Sequence, residues 1–355
     1  MPVIDADTHV DESEATWEKL DGSPYARYRP VTVTPNADEA KLAGLNPVTS
    51  RFWMVEGRLQ ARAVRDEVNH PPRVRRELED VPGRLAHMDQ MGVDVQVIFP
   101  TFFIRYNTTN PEAEQAVTTT YNRWLADKCA ETSGRLRWAP VLPFLQPDKA
   151  VEEVRWAKAN GACGIFKRGF DLDRPVNDPW FFPVYEEASA LDLPLCIHTG
   201  HPLPGREWDR GFPIMHSLKV LVSSGIPNKF PKLRFGLIEA GASWIPYTVS
   251  QMEAERRATM RGRQSSEWAA DLDIREKLLK DNRVFVTIDP LDDIEYLLKF
   301  GAEDSLMIGT DYSHTDISAN LSALDEVRRW ADQGRISKTA AHKILESNPQ
   351  AFYGL

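Results

Sequence analysis

The sequence predicts an α/β fold in which parallel strands alternate with helices. Two observations predict it. Short apolar runs typical of buried strands recur from about residue 80 onward, and longer segments with helical spacing separate them. With the opening segment included, the runs number about eight, which is the number that a (β/α)8 barrel requires. A doubly wound sheet gives the same alternation, so the choice between the two architectures rests on the motifs.

Each predicted strand is a short apolar run, several of them ending in a polar residue. The predicted strands lie at 3–9, 93–99, 136–144, 162–166, 193–198, 233–239, 283–288 and 306–309. The predicted helices between them lie at 112–132, 148–160, 178–191, 243–258 and 320–330. Asn110-Pro111, Asp178-Pro179 and Ser243 supply capping side chains or first-turn prolines to three of these helices.

Residues 11–80 interrupt this rhythm and are predicted to be an insertion after the first strand. The run RFWMVEGRLQ within it reads as a hairpin with its turn at Glu56-Gly57. The segment is rich in aromatic residues and arginine, which indicates a cap over a site or an oligomer contact. The whole chain, 1–355, is therefore predicted to be one domain that carries an insertion.

The composition excludes several classes of partner. The 355 residues include 43 Lys and Arg against 52 Asp and Glu, a net charge of −9, which argues against a nucleic acid or an anionic membrane as partner. No apolar run approaches the ~20 residues of a membrane helix, and the N-terminus lacks an export signal. The three cysteines are far apart, which favours a reducing cytoplasm. A cytoplasmic protein that acts on a small molecule is expected.

Polar residues interrupt the apolar strands at four places. In VIDADTHV, Asp5, Asp7 and His9 alternate with apolar residues or threonine, so all three side chains would share one face of a strand. Burying two carboxylates and an imidazole is costly unless a cation or a dense hydrogen-bond network compensates. The alternative is a surface edge strand with one polar face.

The other three interruptions fall at the ends of later strands. LPLCIHTGHP ends a strand at His198, with His201 shortly after; FGLIEAG ends one at Glu239; LMIGTDYSH carries Asp311 and His314. Functional side chains collect at the C-terminal ends of strands in such folds. Imidazoles and carboxylates together suit Zn(II), Mn(II) or Fe(II). The sequence thus predicts one divalent metal ion, with Zn(II) as the first choice.

Seven segments resemble one known family. They are DADTH, GRLAHMDQMGVDVQVIFPT, YNRWLADKCAETSGRLRWAPVLP, LPLCIHTGHP, IEAGASWIPY, IGTDYSHTD and KILESNPQAFYGL. The chain is similar to the amidohydrolase superfamily, and within it to the family 2 group that contains aminocarboxymuconate semialdehyde decarboxylase and the resorcylate and carboxyvanillate decarboxylases. The resemblance implies a TIM-like (β/α)8 barrel, a homodimer, and one metal at the C-terminal mouth, with ligands Asp7, His9, His198 and Asp311.

The chain departs from that family at two positions. Members more often carry His-x-His or Glu-x-His on the first strand, where this chain has the shorter Asp7. Many place on the sixth strand a histidine that works on the substrate, where this chain has Glu239. A glutamate there can act as general acid or base, bind the metal, or hold a metal-bound water.

Further site residues are predicted from position and residue type. Lys167, at the end of the fourth strand, is a candidate for binding a substrate carboxylate. His314 is expected to orient Asp311 or to touch the substrate. Aromatic residues of the insertion and of the segment FPTFF are candidates for sandwiching a planar ring, and they are Trp53, Phe102 and Phe103.

The predicted function is non-oxidative decarboxylation of an aromatic or unsaturated carboxylic acid, with Glu239, Asp311, His314 and Lys167 as the catalytic residues. The metal would bind the substrate, and Glu239 would deliver the proton. One alternative is metal-dependent hydrolysis of an amide, a lactone or a ring C–N bond, or hydration of a small organic acid. The other is a barrel that has lost its metal and its activity.

Overall fold

The computed structural model describes residues 1–42, 51–62, 70–106, 108–200, 211–260, 274–315 and 318–355. His201 and two parts of the predicted insertion, 43–50 and 63–69, lie outside the described residues. No helix within the described ranges is long and apolar enough to cross a membrane.

Strands and helices alternate over most of the described chain. The strands are β1 (Ile4–Val10), β2 (Val31–Val33), β3 (Arg51–Val55), β4 (Arg58–Arg62), β5 (Val95–Pro100), β6 (Leu136–Trp138), β7 (Ile165–Arg168), β8 (Phe170–Asp171), β9 (Arg174–Pro175), β10 (Leu195–His198), β11 (Phe235–Ile238), β12 (Val284–Ile288) and β13 (Leu306–Ile308).

The helices lie between and after these strands. They are α1 (Ala37–Leu42), α2 (Arg73–Arg76), α3 (Val81–Gln90), α4 (Pro111–Ala130), α5 (Pro147–Ala159), α6 (Phe182–Ala190), α7 (Gly211–Ser223), α8 (Ile226–Lys229), α9 (Ile245–Met260), α10 (Ile274–Asp281), α11 (Ile294–Lys299), α12 (Ala323–Asp332), α13 (Lys338–His342) and α14 (Asn348–Tyr353). Short 3₁₀ helices include Glu14–Leu20, Phe102–Ile104 and Pro179–Phe181.

Parallel strands form a closed ring. One sheet has the order β1-β5-β6 and another the order β13-β12-β11-β10-β7, with parallel pairing throughout. Backbone hydrogen bonds join the two sheets at both edges, from His9 N to Tyr312 O (2.8 Å) and from Cys163 N to Trp138 O (3.0 Å). Within the described residues, eight parallel strands thus surround one core, and the predicted barrel architecture is present.

The predicted strands match the eight barrel strands, with differences in length. The strand predicted at 136–144 ends at Trp138, because Pro140 and Pro143 have no N–H to donate to a ladder. The helix predicted at 178–191 starts as a 3₁₀ turn, in which the Asp178 carboxylate accepts a hydrogen bond from Trp180 N at 2.8 Å.

The segment after β1 contains a small antiparallel sheet. β2, β3 and β4 pair in sequence order, and the predicted hairpin turn is present, with φ of 48° at Glu56 and 73° at Gly57. Two positive φ values in a two-residue loop are typical of the turns that join twisted hairpin strands. Trp17 connects the sheet to the barrel, because its ring lies 6.1 Å from that of Trp53 and 5.1 Å from that of Phe102.

The ends of β1 and β13 approach each other closely at the C-terminal mouth of the barrel. Asp311 N donates a hydrogen bond to Asp7 O at 2.9 Å. A Cβ at Gly309 would overlap the Cβ of Asp7, so only glycine permits this approach. The backbones that carry Asp7 and Asp311 are therefore held side by side.

Candidate metal centre and active site

The four predicted metal ligands and Glu239 meet at the C-terminal mouth of the barrel. Asp7 and His9 belong to β1, His198 is the last residue of β10, Glu239 follows β11, and Asp311 follows β13. All five side chains are buried, with at most 6% of each residue exposed. The parallel strands bring them together because their carboxyl ends lie at the same edge of the barrel.

The His9 imidazole lies at the centre of the cluster. Its Nε2 is 3.1 Å from His198 Nε2. It is also 3.5 Å from Asp7 Oδ1, 3.4 Å from Glu239 Oε2 and 3.5 Å from Asp311 Oδ1. Separations of this size between ligand atoms are those around a single ion whose bonds are ~2.0–2.2 Å long.

Backbone carbonyls orient both imidazoles. His9 Nδ1 lies 3.0 Å from Pro100 O, and His198 Nδ1 lies 2.8 Å from Thr199 O. A carbonyl only accepts, so each Nδ1 carries the proton and each Nε2 presents its lone pair to the centre. Metal-ligating histidines are commonly fixed in this way.

The donor set fits a divalent cation. Two imidazole lone pairs and several carboxylate oxygens converge, and Asp7 Oδ1 is buried with no hydrogen-bond partner among the described residues. Buried acceptors facing one another repel unless a positive charge lies between them. The side chains suited to holding that charge form two overlapping groups, one of Asp7, His9, His198 and Glu239 and one of His9, Glu239, Asp311 and His314.

The pKa values show how strongly the cluster attracts positive charge. Burial lowers the pKa of His9, but the nearby carboxylates of Asp7 (3.5 Å), Glu239 (3.4 Å) and Asp311 (3.5 Å) outweigh burial and raise that pKa well above the ordinary 6.5. Burial would raise the pKa of Asp7, yet His198 and His9 bring it far below its ordinary value. Protons and a metal ion therefore compete for this site, and acid favours the protons.

Two of the carboxylates occupy unusual backbone conformations. Glu239 has φ of 60° and Asp311 has φ of 52°, in the left-handed region that residues with a Cβ seldom adopt. A hydrogen bond helps to hold Glu239 in this conformation, because its backbone N–H donates to Thr287 Oγ1 at 2.8 Å. Strained residues held by their surroundings are typical of functional sites.

His314 connects Asp311 to the end of β5, two strands away in the ring. Its Nδ1 lies 2.6 Å from Asp311 Oδ1, and its Nε2 lies 2.9 Å from Thr101 Oγ1, just after β5. Its ring stacks on that of His9, with 3.9 Å between centroids. The Glu12 carboxylate in turn accepts hydrogen bonds from the backbone N–H groups of Thr101 (3.1 Å) and Phe102 (2.9 Å).

Sequence reasoning missed three residues of this site. Ser318 Oγ lies 3.2 Å from Glu239 Oε1 and 3.0 Å from Asp311 Oδ2, so its hydroxyl bridges two carboxylates. Thr101 lies two residues after the strand predicted at 93–99, and Glu12 lies three residues after His9, so position near a strand end was an available signal for both. Nothing in the sequence indicated Ser318, whose place depends on how the last loop folds.

Lys167 lies apart from the cluster. It is fully buried, forms an ion pair with Asp171, and places its Nζ 3.6 Å from the centroid of the Phe181 ring. Its ammonium is thus already matched by a carboxylate and an aromatic face. The role in binding a substrate carboxylate stays a prediction that would require this pair to separate.

The predicted ring-binding residues are packed together. Trp53, Phe102 and Phe103 are at most 3% exposed. Trp53 and Phe102 lie 6.0 Å apart, and Phe102 and Phe103 lie 5.0 Å apart, both in edge-on contacts. Their rings fill the space between the inserted sheet and the barrel. A direct contact between these rings and a substrate stays a prediction.

The sequence matches a known protein family over nearly its whole length. A family model described as amidohydrolase matches residues 4–355. The chain belongs to the amidohydrolase family. The predicted resemblance is thereby confirmed, and the cluster at the mouth of this amidohydrolase lies where parallel-barrel enzymes carry their active sites.

Known relatives of this amidohydrolase include decarboxylases. It is 25% identical over 318 residues to a gamma-resorcylate decarboxylase from a Polaromonas species, covering 80% of this chain and 90% of the relative. An amidohydrolase from Mycobacterium avium subsp. paratuberculosis has a similar fold, with a TM-score of 0.77, 18% identity, and coverage of 100% and 98% of the two chains.

The fold is also similar to that of 5-carboxyvanillate decarboxylase from Novosphingobium aromaticivorans. The TM-score is 0.68 at 21% identity, and the match covers 100% of this chain and 96% of the other. That enzyme was crystallised with manganese and 4-hydroxy-3-methoxy-5-nitrobenzoic acid.

Proposed function

We propose that this amidohydrolase catalyses metal-dependent, non-oxidative decarboxylation of a hydroxylated aromatic carboxylic acid. The observation that carries the proposal is the convergence of two imidazole Nε2 atoms, 3.1 Å apart, with buried carboxylates at one barrel mouth. The gamma-resorcylate decarboxylase relative and the 5-carboxyvanillate decarboxylase fold support this class of substrate.

Asp7, His9, His198 and Asp311 would hold one divalent ion, with Glu239 as a fifth ligand. Bound there, the ion would supply a positive charge for the substrate's carboxylate and neighbouring hydroxyl oxygen, which stabilises negative charge on them. Zn(II) is the sequence-based choice. Three carboxylates in the donor set suit Mn(II) and Fe(II) equally, and the Novosphingobium enzyme was crystallised with manganese.

The reaction replaces the ring carbon's bond to the carboxylate carbon with a bond to hydrogen. One proton must reach that ring carbon, and CO2 then leaves with the electrons of the C–C bond redistributed to the ring. We assign the proton to the Asp311–His314 pair, whose Oδ1 and Nδ1 atoms lie 2.6 Å apart. Thr101 Oγ1, 2.9 Å from His314 Nε2, fixes the orientation of the imidazole.

Glu239 has a different role in this proposal. Its Oε2 lies 3.2 Å from His198 Nε2 and 3.4 Å from His9 Nε2, between the two imidazoles. Ligation of the ion therefore suits Glu239 better than proton delivery, which the sequence alone had suggested. Lys167, held by Asp171, has no assigned part in the chemistry.

Product analysis tests the proposal. Protein loaded with Zn(II) or Mn(II) is incubated with hydroxybenzoates, aryl amides and lactones, and released CO2 and new carboxylates are measured. The proposal predicts CO2 and the matching phenol from at least one hydroxybenzoate. A new carboxylate or amine without CO2 would instead establish the hydrolytic alternative. A cytoplasmic location and a homodimer stay predictions. Gel filtration tests the homodimer.

A further inference from the structure

A second cavity lies beside the barrel mouth, and no residue of the metal cluster lines it. It has a volume of about 280 Å³ and is bordered by the N-terminal half of α4, the loops after β5 and β6, and the β8–β9 hairpin. Its volume is close to the lower end of the ~300–1,000 Å³ range of ligand pockets. A single substituted ring is the size of ligand that suits it.

Aromatic side chains form much of the cavity wall. Phe103, Phe144, Trp180 and Phe181 line it together with Leu142. Most of these residues are buried, although Trp180 is 39% exposed at the rim. Walls of this kind favour a flat apolar body, because rings pack face to edge at little conformational cost.

Both arginines of the wall are already paired with carboxylates, Arg168 with Asp171 and Arg174 with Asp178 (2.9 Å), and Asp173 adds an exposed carboxylate. Arg168 donates to the Asp171 carboxylate through Nε at 3.0 Å and Nη2 at 2.8 Å, and its Nη1 donates to the backbone carbonyls of Phe103 and Tyr106. Asp171 also accepts from Lys167. Because the guanidinium of Arg168 already donates to Asp171 and to two backbone carbonyls, it is not available to an anionic ligand. The nearby carboxylates would repel such a ligand.

Among the described residues of the wall, Tyr106 and Glu114 are the hydrogen-bonding groups that matter for a neutral ligand. The Tyr106 hydroxyl is buried and has no hydrogen-bond partner among the described residues. Glu114 accepts a hydrogen bond from Leu145 N at 2.7 Å, and burial, reinforced by Asp171, raises its pKa to about 8. A buried hydroxyl without a partner is unfavourable, so a ligand hydroxyl that pairs with Tyr106 gains stabilisation.

We propose that this cavity is a second binding site for a neutral monocyclic phenol, with Tyr106 and Glu114 as its hydrogen-bonding groups. The proposal deepens and rests on the proposed function, since decarboxylation of a hydroxybenzoate leaves such a phenol. Phe103 borders the cavity and packs against Phe102. The phenol site therefore lies next to the aromatic cluster at the barrel mouth while remaining separate from the metal ligands.

Calorimetry on chelator-treated protein tests this site without any need for activity. Resorcinol is the neutral probe, and 2,6-dihydroxybenzoate is its charged counterpart. The wild type is expected to bind resorcinol with one site and to show no heat with the benzoate. Tyr106→Phe keeps the cavity's shape and should weaken resorcinol about three- to tenfold, the effect of one lost hydrogen bond.

Two further variants complete the test. Leu142→Trp fills the cavity and should abolish binding, whereas Tyr296→Phe removes a hydroxyl on exposed helix α11 and should leave binding unchanged. Absence of resorcinol binding in the wild type, equal binding of the benzoate, or unchanged binding in Tyr106→Phe overturns the proposal. If Leu142→Trp does not fold, the affinity of Tyr106→Phe for resorcinol is the measurement that tests the site. Failure of the proposed function is seen separately, as absence of CO2 in the product assay.

Discussion

His9 occupies the position on which the other metal-site side chains converge. Its Nε2 is within 3.5 Å of His198, Asp7, Glu239 and Asp311, and its ring carries the stacked His314. Because Pro100 O fixes its Nδ1 proton, the imidazole cannot turn without losing both a hydrogen bond and the metal-facing lone pair. Substitutions of the residues that contact His9 are therefore expected to change the affinity for the metal ion.

Glu239 and Asp311 should separate metal binding from proton transfer. Glu239→Gln keeps the size of the side chain and removes one charged donor, so metal affinity should fall at least tenfold. Asp311→Asn removes one metal ligand and also the carboxylate that pairs with His314 at 2.6 Å, so decarboxylation should fall further than metal content. Metal content by elemental analysis and turnover of loaded protein distinguish the two. Equal turnover of the two variants once each is fully loaded with metal would contradict the division of roles.

Thr101, at the end of β5, is predicted to position His314. Thr101→Val removes the hydroxyl 2.9 Å from His314 Nε2 but keeps the branched shape, and Thr101→Ser restores the hydroxyl. We expect kcat to fall about tenfold in the valine variant, with KM little changed and an altered pH profile, and to recover in the serine variant. If Thr101→Val had the same kcat, KM and pH profile as the wild type, Thr101 would have no role in positioning His314.

The sequence predicted the residues at the centre of the site because each interrupts an apolar strand. Asp7, His9, His198, Glu239 and Asp311 all stand out in this way, and the structure places them together. Ser318 could not be predicted, because its hydroxyl reaches two carboxylates only through the path of the loop after β13. Lys167 was predicted to bind substrate, but in the structure it forms an ion pair with Asp171. The sequence did not predict this pair, because nothing singled out Asp171 as the partner of Lys167.

At the scale of elements, the inserted sheet is attached to the barrel by aromatic packing. Trp53 on β3 contacts Trp17 and Phe102, and the Arg62 guanidinium lies 4.5 Å from its ring centroid. The eight barrel strands were predictable from apolar runs. β2 was not, because its three residues are partly exposed and have no pattern that distinguishes them from a loop.

Trp53 tests whether this packing is structural or contacts substrate. Trp53→Ala removes a large buried ring and should cost about 3–5 kcal/mol of stability, whereas Trp53→Phe should cost much less. Thermal melting measures both, and steady-state kinetics are recorded for the phenylalanine variant. A raised KM in Trp53→Phe with an unchanged melting temperature would support the predicted contact with substrate.

At the scale of the whole molecule, buried carboxyl groups make stability depend on pH. Burial raises the pKa of Glu114 to about 8 from its ordinary 4.5. The folded protein therefore holds a proton there that the unfolded chain releases between these values, so the contribution is full below pH 4.5 and is lost as pH rises toward 8.

Glu114→Gln removes this titration while keeping the side chain's shape. The wild type should lose stability relative to the variant by on the order of 1 kcal/mol for each pH unit across that window. Thermal melts of both proteins at pH values from 5 to 8 measure the difference. A difference in stability that does not change with pH, or a wild type that gains stability relative to the variant as pH rises, would contradict the raised pKa of Glu114.

The barrel, the proposed metal ligands and the proposed acid–base pair lead to one hypothesis. A divalent ion at this mouth promotes the exchange of a carboxylate for a proton on an aromatic ring. The most direct measurement is incubation of Zn(II)- or Mn(II)-loaded protein with 2,6-dihydroxybenzoate in D2O, followed by mass spectrometry and NMR of the product. We predict resorcinol with one deuterium at the carbon that carried the carboxylate, and none from chelator-treated protein. Unchanged substrate with the metal-loaded protein across the hydroxybenzoates, or equal turnover without metal, would contradict the account.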